Sequence, residues 1–165
     1  MRITILCVGK LKEQYLKDGI VEYAKRMPPY AELQVIEVAD EKTPANASAQ
    51  SNEKIKESEG KRLLAALLPN GHKDKDAYII VLDSAGKNLS SPELAQKIDT
   101  LALGGTSHIV FVIGGSLGLS REVLQRGDFL LSFGKMTFPH QLMRLILLEQ
   151  IYRAFKISRG ETYHK

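Results

Sequence analysis

The stretch His108-Ile109-Val110-Phe111-Val112-Ile113-Gly114-Gly115-Ser116-Leu117-Gly118 decides the fold. Six residues without helical periodicity, apolar from Ile109 onward, run straight into a glycine turn. A strand that does not alternate apolar with polar is covered on both faces, as in a parallel sheet flanked by helices. The glycines at its carboxyl end let a ligand approach the backbone, at the place where open α/β sheets bind ligands. The turn matches neither G-x-G-x-x-G nor a P-loop, so it either shapes a strand-to-helix connection or cradles a ligand.

The same pattern repeats along the chain. Strands are expected at Arg2–Val8, 33–39, 77–82 (Tyr-Ile-Ile-Val-Leu) and 129–133. Between them lie helical spacings: Leu16, Ile20, Tyr23 and Met27, ended by Pro28-Pro29, then Ile55, Leu63, Leu64 and Leu67 towards Pro69. Residues 40–52 are rich in Asn, Ser, Ala and Thr and read as a loop, residues 70–76 as a polar surface turn, and residues 84–87 as a turn. Ser90-Ser91-Pro92-Glu93 is a helix start, with a serine cap, a first-turn proline and an acid near the positive end. Its helix uses Leu94, Ile98 and Leu101 and stops at Gly104-Gly105; Ser120 opens a short helix, and a long last helix covers 141–157. No repeat or linker divides the chain. The expectation is α/β: one domain over residues 1–165, a mostly parallel sheet flanked by helices.

The last helix is apolar nearly all round, through Leu142, Met143, Leu145, Ile146, Leu147, Leu148, Ile151, Tyr152, Ala154, Phe155 and Ile157. Such a helix must be buried all round, so one side covers its own sheet and the other is expected to meet a second copy in a twofold homodimer. Arg144 interrupts that surface and needs an anionic partner. It either closes a salt bridge or snorkels at the edge, or it positions a carboxylate or phosphate.

Composition limits the function classes. The 165 residues are 44% hydrophobic and 25% charged, with one cysteine, enough for a single core without staples and incompatible with an internal disulfide. No apolar run reaches the roughly 20 residues of a membrane span, and the N-terminal run lacks the form of a signal peptide; a cytoplasmic protein is expected, with no membrane partner. The four histidines show no metal-ligand spacing, so no metal is expected, and Cys7 reads as an inert core residue. No G-x-S-x-G elbow supports serine hydrolase chemistry. Net charge is +4, and from Lys135 onward six Lys/Arg face two acids, whereas the preceding residues carry 17 of each sign. This excess describes either a face that meets an anion such as nucleic acid, or a basic helix complementing its own dipole.

Two further segments carry possible chemistry. Phe133-Gly134-Lys135-Met136-Thr137-Phe138-Pro139-His140 places apolar side chains in a loop, either packed beneath it or lining a pocket. His140, at the mouth of the last helix, is an acid, base or phosphate contact, or a half-buried helix-entry residue. Tyr163 and His164 in the polar tail can stack on a base, or the tail is simply frayed.

Taken together, Phe-Val-Ile-Gly-Gly-Ser-x-Gly at 111–118, Leu-Ser-Phe-Gly-Lys-Met-Thr-Phe-Pro-His at 131–140, Arg144, Glu-Gln-x-Tyr-Arg-Ala at 149–154, the Tyr163-His164 tail and the opening Ile-Thr-Ile-Leu-Cys-Val-Gly-Lys-Leu-Lys strongly resemble the RlmH family of bacterial 23S rRNA pseudouridine N3-methyltransferases, minimal members of the SPOUT superfamily. The resemblance runs essentially full length; residues 70–76 look longer than the family usually carries. It implies a C-terminal trefoil knot over about 77–157 with a short functional tail at 158–165, and a homodimer formed through the knotted region. It also implies methyl transfer from S-adenosylmethionine to N3 of a pseudouridine in 23S rRNA of assembled ribosomes. Carried over, the cofactor residues are Leu82, Gly114, Phe133, Gly134, Lys135, Met136, Thr137 and Phe138. The catalytic candidates are His140, Arg144, Arg153, Tyr163 and His164. Two other classes stay open: a ribosome-binding factor without chemistry, and a small-molecule enzyme whose glycine turn holds a nucleotide phosphate.

Overall fold

The computed structural model describes residues 1–67 and 77–165; the turn expected at 70–76 lies outside the described residues. In chain order the elements are β1 (Arg2–Val8), α1 (Gln14–Arg26), β2 (Glu32–Val38), α2 (Ala49–Leu67), β3 (Ala77–Asn88), α3 (Ser91–Leu103), β4 (His108–Ile113), α4 (Arg121–Arg126), β5 (Phe129–Ser132) and α5 (His140–Ser158). The five strands form one sheet in the order β2-β1-β4-β3-β5, and every pairing is parallel.

The unbroken apolar strands have the expected cause. Successive side chains point to opposite faces of a sheet, and here each face is buried. Ile3, Ile5 and Cys7 of β1 join Ile109, Phe111 and Ile113 of β4 beneath α1, α3 and α5. Leu6 and Val8 join Val110 and Val112 on the other face, with Leu63 and Leu67 of α2 and Val123 of α4. The result is three layers, α/β/α.

Two boundaries differ from the sequence reading. α2 begins at Ala49 inside the expected loop, because Ser48 Oγ accepts the Ser51 N–H at 3.1 Å and caps the first turn. β3 does not end in a turn after Leu82 but runs on to Asn88, and both Leu82 and Lys87 pair with Leu131 of β5. Residues 83–86 therefore bulge out between two pairings with the same β5 residue. Gly86 permits this: a Cβ there would stand 2.7 Å from the carbonyl carbon and oxygen of Leu130. The expected caps are present. Ser90 and Glu93 form a reciprocal capping box on α3, and Ser120 Oγ accepts the Val123 N–H on α4.

Strand order fixes the position of the site. β3 leads through α3 on one face back to β4, whereas β4 leads through α4 on the opposite face, past β3, to β5. The chain thus leaves the carboxyl ends of two neighbouring strands in opposite directions, which opens a crevice between them.

Candidate active site

A cleft of about 220 Å³ occupies that crevice. One wall is the middle of β3, Leu82-Asp83-Ser84, where its pairing with β5 is interrupted; another is the turn after β4, with Gly114, Gly115, Gly118 and Leu119. The third is the loop between β5 and α5, with Phe133, Gly134, Met136, Thr137 and Phe138, and His140 and Met143 close the α5 side. Seven of the eight cofactor residues proposed from sequence lie here, and Lys135 projects outward from the same loop.

The glycines leave bare backbone along the cleft. A Cβ on Gly114 would meet the Gly118 carbonyl and Leu119 Cγ at 2.9 Å, and Gly118 and Gly134 adopt φ of +87° and +121°, which disfavour any side chain. Ser132 joins two of the walls: its Oγ accepts the Gly134 N–H at 3.1 Å and lies 3.2 Å from the Ser84 carbonyl. Exposed backbone amides and carbonyls, apolar walls from Leu82, Phe133 and Phe138, and the polar ends of Asp83 and Thr137 suit a ligand with an apolar or aromatic body and polar edges. Met136 is 76% exposed at the mouth, where it can close over a ligand.

Half-buried His140 begins α5 after Pro139. Burial first, then the Arg144 guanidinium and more weakly Lys12, push its pKa below the ordinary 6.5, with Asp40 opposing them. A neutral imidazole at neutral pH has one ring nitrogen free to accept a proton.

Arg144 lies one helical turn on, is 1% exposed and does not line the cleft. Its partner is within the same chain: Nη1 donates to Glu37 Oε1 at 2.8 Å, and Nη2 to the Val8 and Gly9 carbonyls at 2.6 Å each. It binds the carboxyl ends of β1 and β2 to α5.

Arg153, Tyr163 and His164 form a separate group. Tyr163 packs edge-on against Tyr152 at 5.0 Å, donates to Glu149 Oε1 at 3.0 Å and lies 3.4 Å from Tyr23 Oη. Burial first, then Tyr23 and Glu149, raise its phenol pKa. Arg153 donates twice to the same Glu149 oxygen, covers the Tyr163 ring and approaches His164 Nδ1 at 3.4 Å. Thirteen residues of α5 separate Arg153 from His140, roughly 20 Å at the helical rise. The five catalytic candidates therefore occupy three places: His140 at the cleft, Arg144 beneath it, and the tail group at the far end of α5.

Sequence reasoning missed Asp83, Ser84, Leu119 and Met143 as cleft residues. Asp83 and Ser84 directly follow an expected buried strand, a position that could have flagged them. Among the described residues no group of three His, Cys, Asp or Glu could hold a metal ion, and no helix is long and apolar enough to cross a membrane.

Comparison with known proteins adds a family. A family model described as "Predicted SPOUT methyltransferase" matches residues 1–164. A relative from Carboxydothermus hydrogenoformans named "Ribosomal RNA large subunit methyltransferase H" is 61% identical over 165 residues, covering all of both chains. One of the same name from Clostridium novyi is 58% identical, again over the whole of both. Among solved structures, a probable methylase family protein from Haemophilus influenzae superimposes with a TM-score of 0.53 at 14% identity, over 99% of this chain and 70% of that one. It shares the fold.

Proposed function

We propose a function from the premise that this chain belongs to the SPOUT methyltransferase family: it transfers a methyl group from S-adenosylmethionine to N3 of a pseudouridine in 23S rRNA of assembled ribosomes. The observation that carries this reading is the cleft between the middle of β3 and the ends of β4 and β5, with bare glycine backbone, apolar walls and a neutral His140 at its rim. The names of the full-length relatives support a large-subunit rRNA substrate.

When bound, the cofactor supplies an electrophilic methyl on a positively charged sulfur. The chain's own residues position, exclude water and manage one proton. Leu82, Phe133, Met136 and Phe138 would hold the apolar part of the cofactor, and the backbone at Gly114, Gly118 and Gly134 would meet its polar groups. Holding N3 in line with the methyl carbon and sulfur supplies most of the acceleration. N3 carries a proton that must leave as the N–C bond forms, and the unprotonated nitrogen of His140 accepts it. With S-adenosylmethionine bound as methyl donor, His140 would hold the proton that N3 gives up.

The cofactor loops belong to a trefoil knot over about 77–157, a reading supported by membership of the SPOUT family. The active form is a cytoplasmic homodimer. The roughly 20 Å between His140 and Arg153 supports this, because a second copy can bring Arg153, Tyr163 and His164 to a cleft their own helix holds them away from. Lys135 on the cleft loop, with Arg159 and Lys165 near the tail, then offers cations to RNA, whereas Arg144 is buried on Glu37 and Arg153 and Lys156 are paired with Glu149 and Glu161.

Calorimetric titration with S-adenosylmethionine tests the reading, using wild type and Gly114→Val. Saturable binding by wild type, lost in a folded variant, is expected. Failure of wild type to bind, alone and with ribosomes, overturns it and favours a ribosome-binding factor without chemistry.

A further inference from the structure

Behind the glycine wall of the cleft, α2 buries a carboxylate that the mechanism above does not use. Glu59 is 4% exposed. Its Oε1 accepts the Glu41 N–H at 3.0 Å, whereas Oε2 is buried without a hydrogen-bond partner. That second oxygen lies 2.7 Å from where a Cβ on Gly115 would stand, a point 3.2 Å from Val8 Cγ1. Gly115 lines the cleft, so the carboxyl group presses on the back of the turn whose front faces the ligand. Packing alone would be served better by an aliphatic residue, such as the buried Leu63 and Leu67 of the same helix.

We propose that Glu59 is a positioning residue that holds the Gly114–Gly118 turn in its ligand-binding form and so sets how tightly the cleft grips S-adenosylmethionine. The inference rests on the cofactor reading above. Its surroundings favour the neutral acid. β1 presents the apolar Val8, and the segment after β2 brings the carboxylates of Asp40 and Glu41. Ser120, at the start of α4, packs on the neighbouring Gly60. Arg62, the nearby cation on α2, is engaged with Glu41 and the Ala39 carbonyl. Burial first, then Asp40 and Glu41, raise the Glu59 pKa above its ordinary 4.5, against the Glu41 N–H and Arg62. The acid is thus neutral below 4.5, and the benefit of the neutral form is lost as pH rises through the raised value. Ionisation there puts an unpaired charge against Gly115 and loosens the turn.

The test compares wild type, Glu59→Gln and Glu59→Ala, each titrated with S-adenosylmethionine from mildly acid to neutral pH. Affinity of the wild type should fall as Glu59 ionises. Glu59→Gln, neutral at every pH and still able to accept the Glu41 N–H, should show no such fall as pH rises, keeping only the opposite dependence that protonation of His140 imposes. Glu59→Ala should bind roughly tenfold more weakly at all pH values. Hydrogen exchange of the amides at 115–119, measured without ligand, gives a second readout: faster in Glu59→Ala and protected in Glu59→Gln. One pH dependence shared by wild type and Glu59→Gln, or unchanged exchange in Glu59→Ala, overturns the proposal. If wild type binds no cofactor, the cofactor reading fails, and the exchange experiment still decides whether Glu59 positions the turn.

Discussion

Arg144 Nη1 and Glu37 Oε1 stand 2.8 Å apart, joining the long last helix to the edge strand β2. The same Glu37 oxygen accepts the Leu11 N–H at 3.1 Å, and Arg144 also binds the Val8 and Gly9 carbonyls. One guanidinium therefore gathers the ends of two strands and the loop after β1 directly below His140. Removing it takes the guanidinium donors from the Val8 and Gly9 carbonyls and leaves Glu37 with the Leu11 N–H alone. Arg144→Met should lower unfolding free energy by about 1–3 kcal/mol, because the Val8 and Gly9 carbonyls lose a buried donor while Glu37 stays open to water. Urea denaturation measures this, and a double-mutant cycle with Glu37→Gln should show coupling between the two sites.

His140 links stability and activity to pH with the same sign. Its folded pKa lies below the unfolded value of 6.5, so the stabilising neutral form is fully present above 6.5 and is lost as pH falls through the depressed value. The acid limb of the methyl-transfer rate should lie below 6.5. Arg144 lowers that pKa, so the limb should move upward in Arg144→Met. His140→Ala should lose about 10²–10⁴-fold in rate while retaining cofactor binding, as expected for a lost general base; rate profiles beside calorimetry separate the two effects.

Gly86 tests the bulge of β3 against β5. An alanine Cβ there meets the Leu130 backbone at 2.7 Å, and backbone cannot swing aside as a side chain does. Gly86→Ala should push β5 outward and shift the 133–138 loop, weakening cofactor binding and stability together. Gly105, with φ +90° and nothing within 4 Å, is a control: its replacement should affect only local stability.

Met136 separates binding from folding. Because it is 76% exposed, Met136→Ser should leave unfolding free energy within about 0.5 kcal/mol of wild type. Cofactor affinity should nonetheless fall, as the side chain closes the mouth of the cleft. Thermal melts with and without S-adenosylmethionine distinguish the two, since a ligand that binds only the folded state raises the melting point by mass action.

The tail makes a prediction about assembly. If Tyr163 and His164 serve the cleft of a second copy, a tail variant and His140→Ala should each be nearly inactive alone. Mixed dimers, formed by co-expression under two affinity tags, should regain activity because they contain one intact site. Inactive mixed dimers would contradict a shared site.

Much of the fold was legible because its strands are apolar on both faces and its helices are capped by recognisable residues such as Ser90-Glu93 and Ser120. The bulge of β3 was not, since Gly86 reads as a turn unless the Leu130 backbone is known to pass against it. The 133–140 loop stood out because apolar side chains in a loop need an explanation. Arg144 was marked as needing an anion, but Glu37 lies 107 residues away and only the β1–β2 register brings it near. Glu59 gave no signal: in a helix rich in Glu and Lys, nothing local distinguishes the one carboxylate that turns inward.

The most direct test of the central claim is transfer of a labelled methyl group from S-adenosylmethionine to ribosomes isolated from a strain lacking this protein. The account predicts one labelled pseudouridine per large subunit, modified at N3, formed about 10²–10⁴-fold more slowly by His140→Ala. Ribosomes that remain unlabelled while the protein binds both cofactor and ribosome would contradict it.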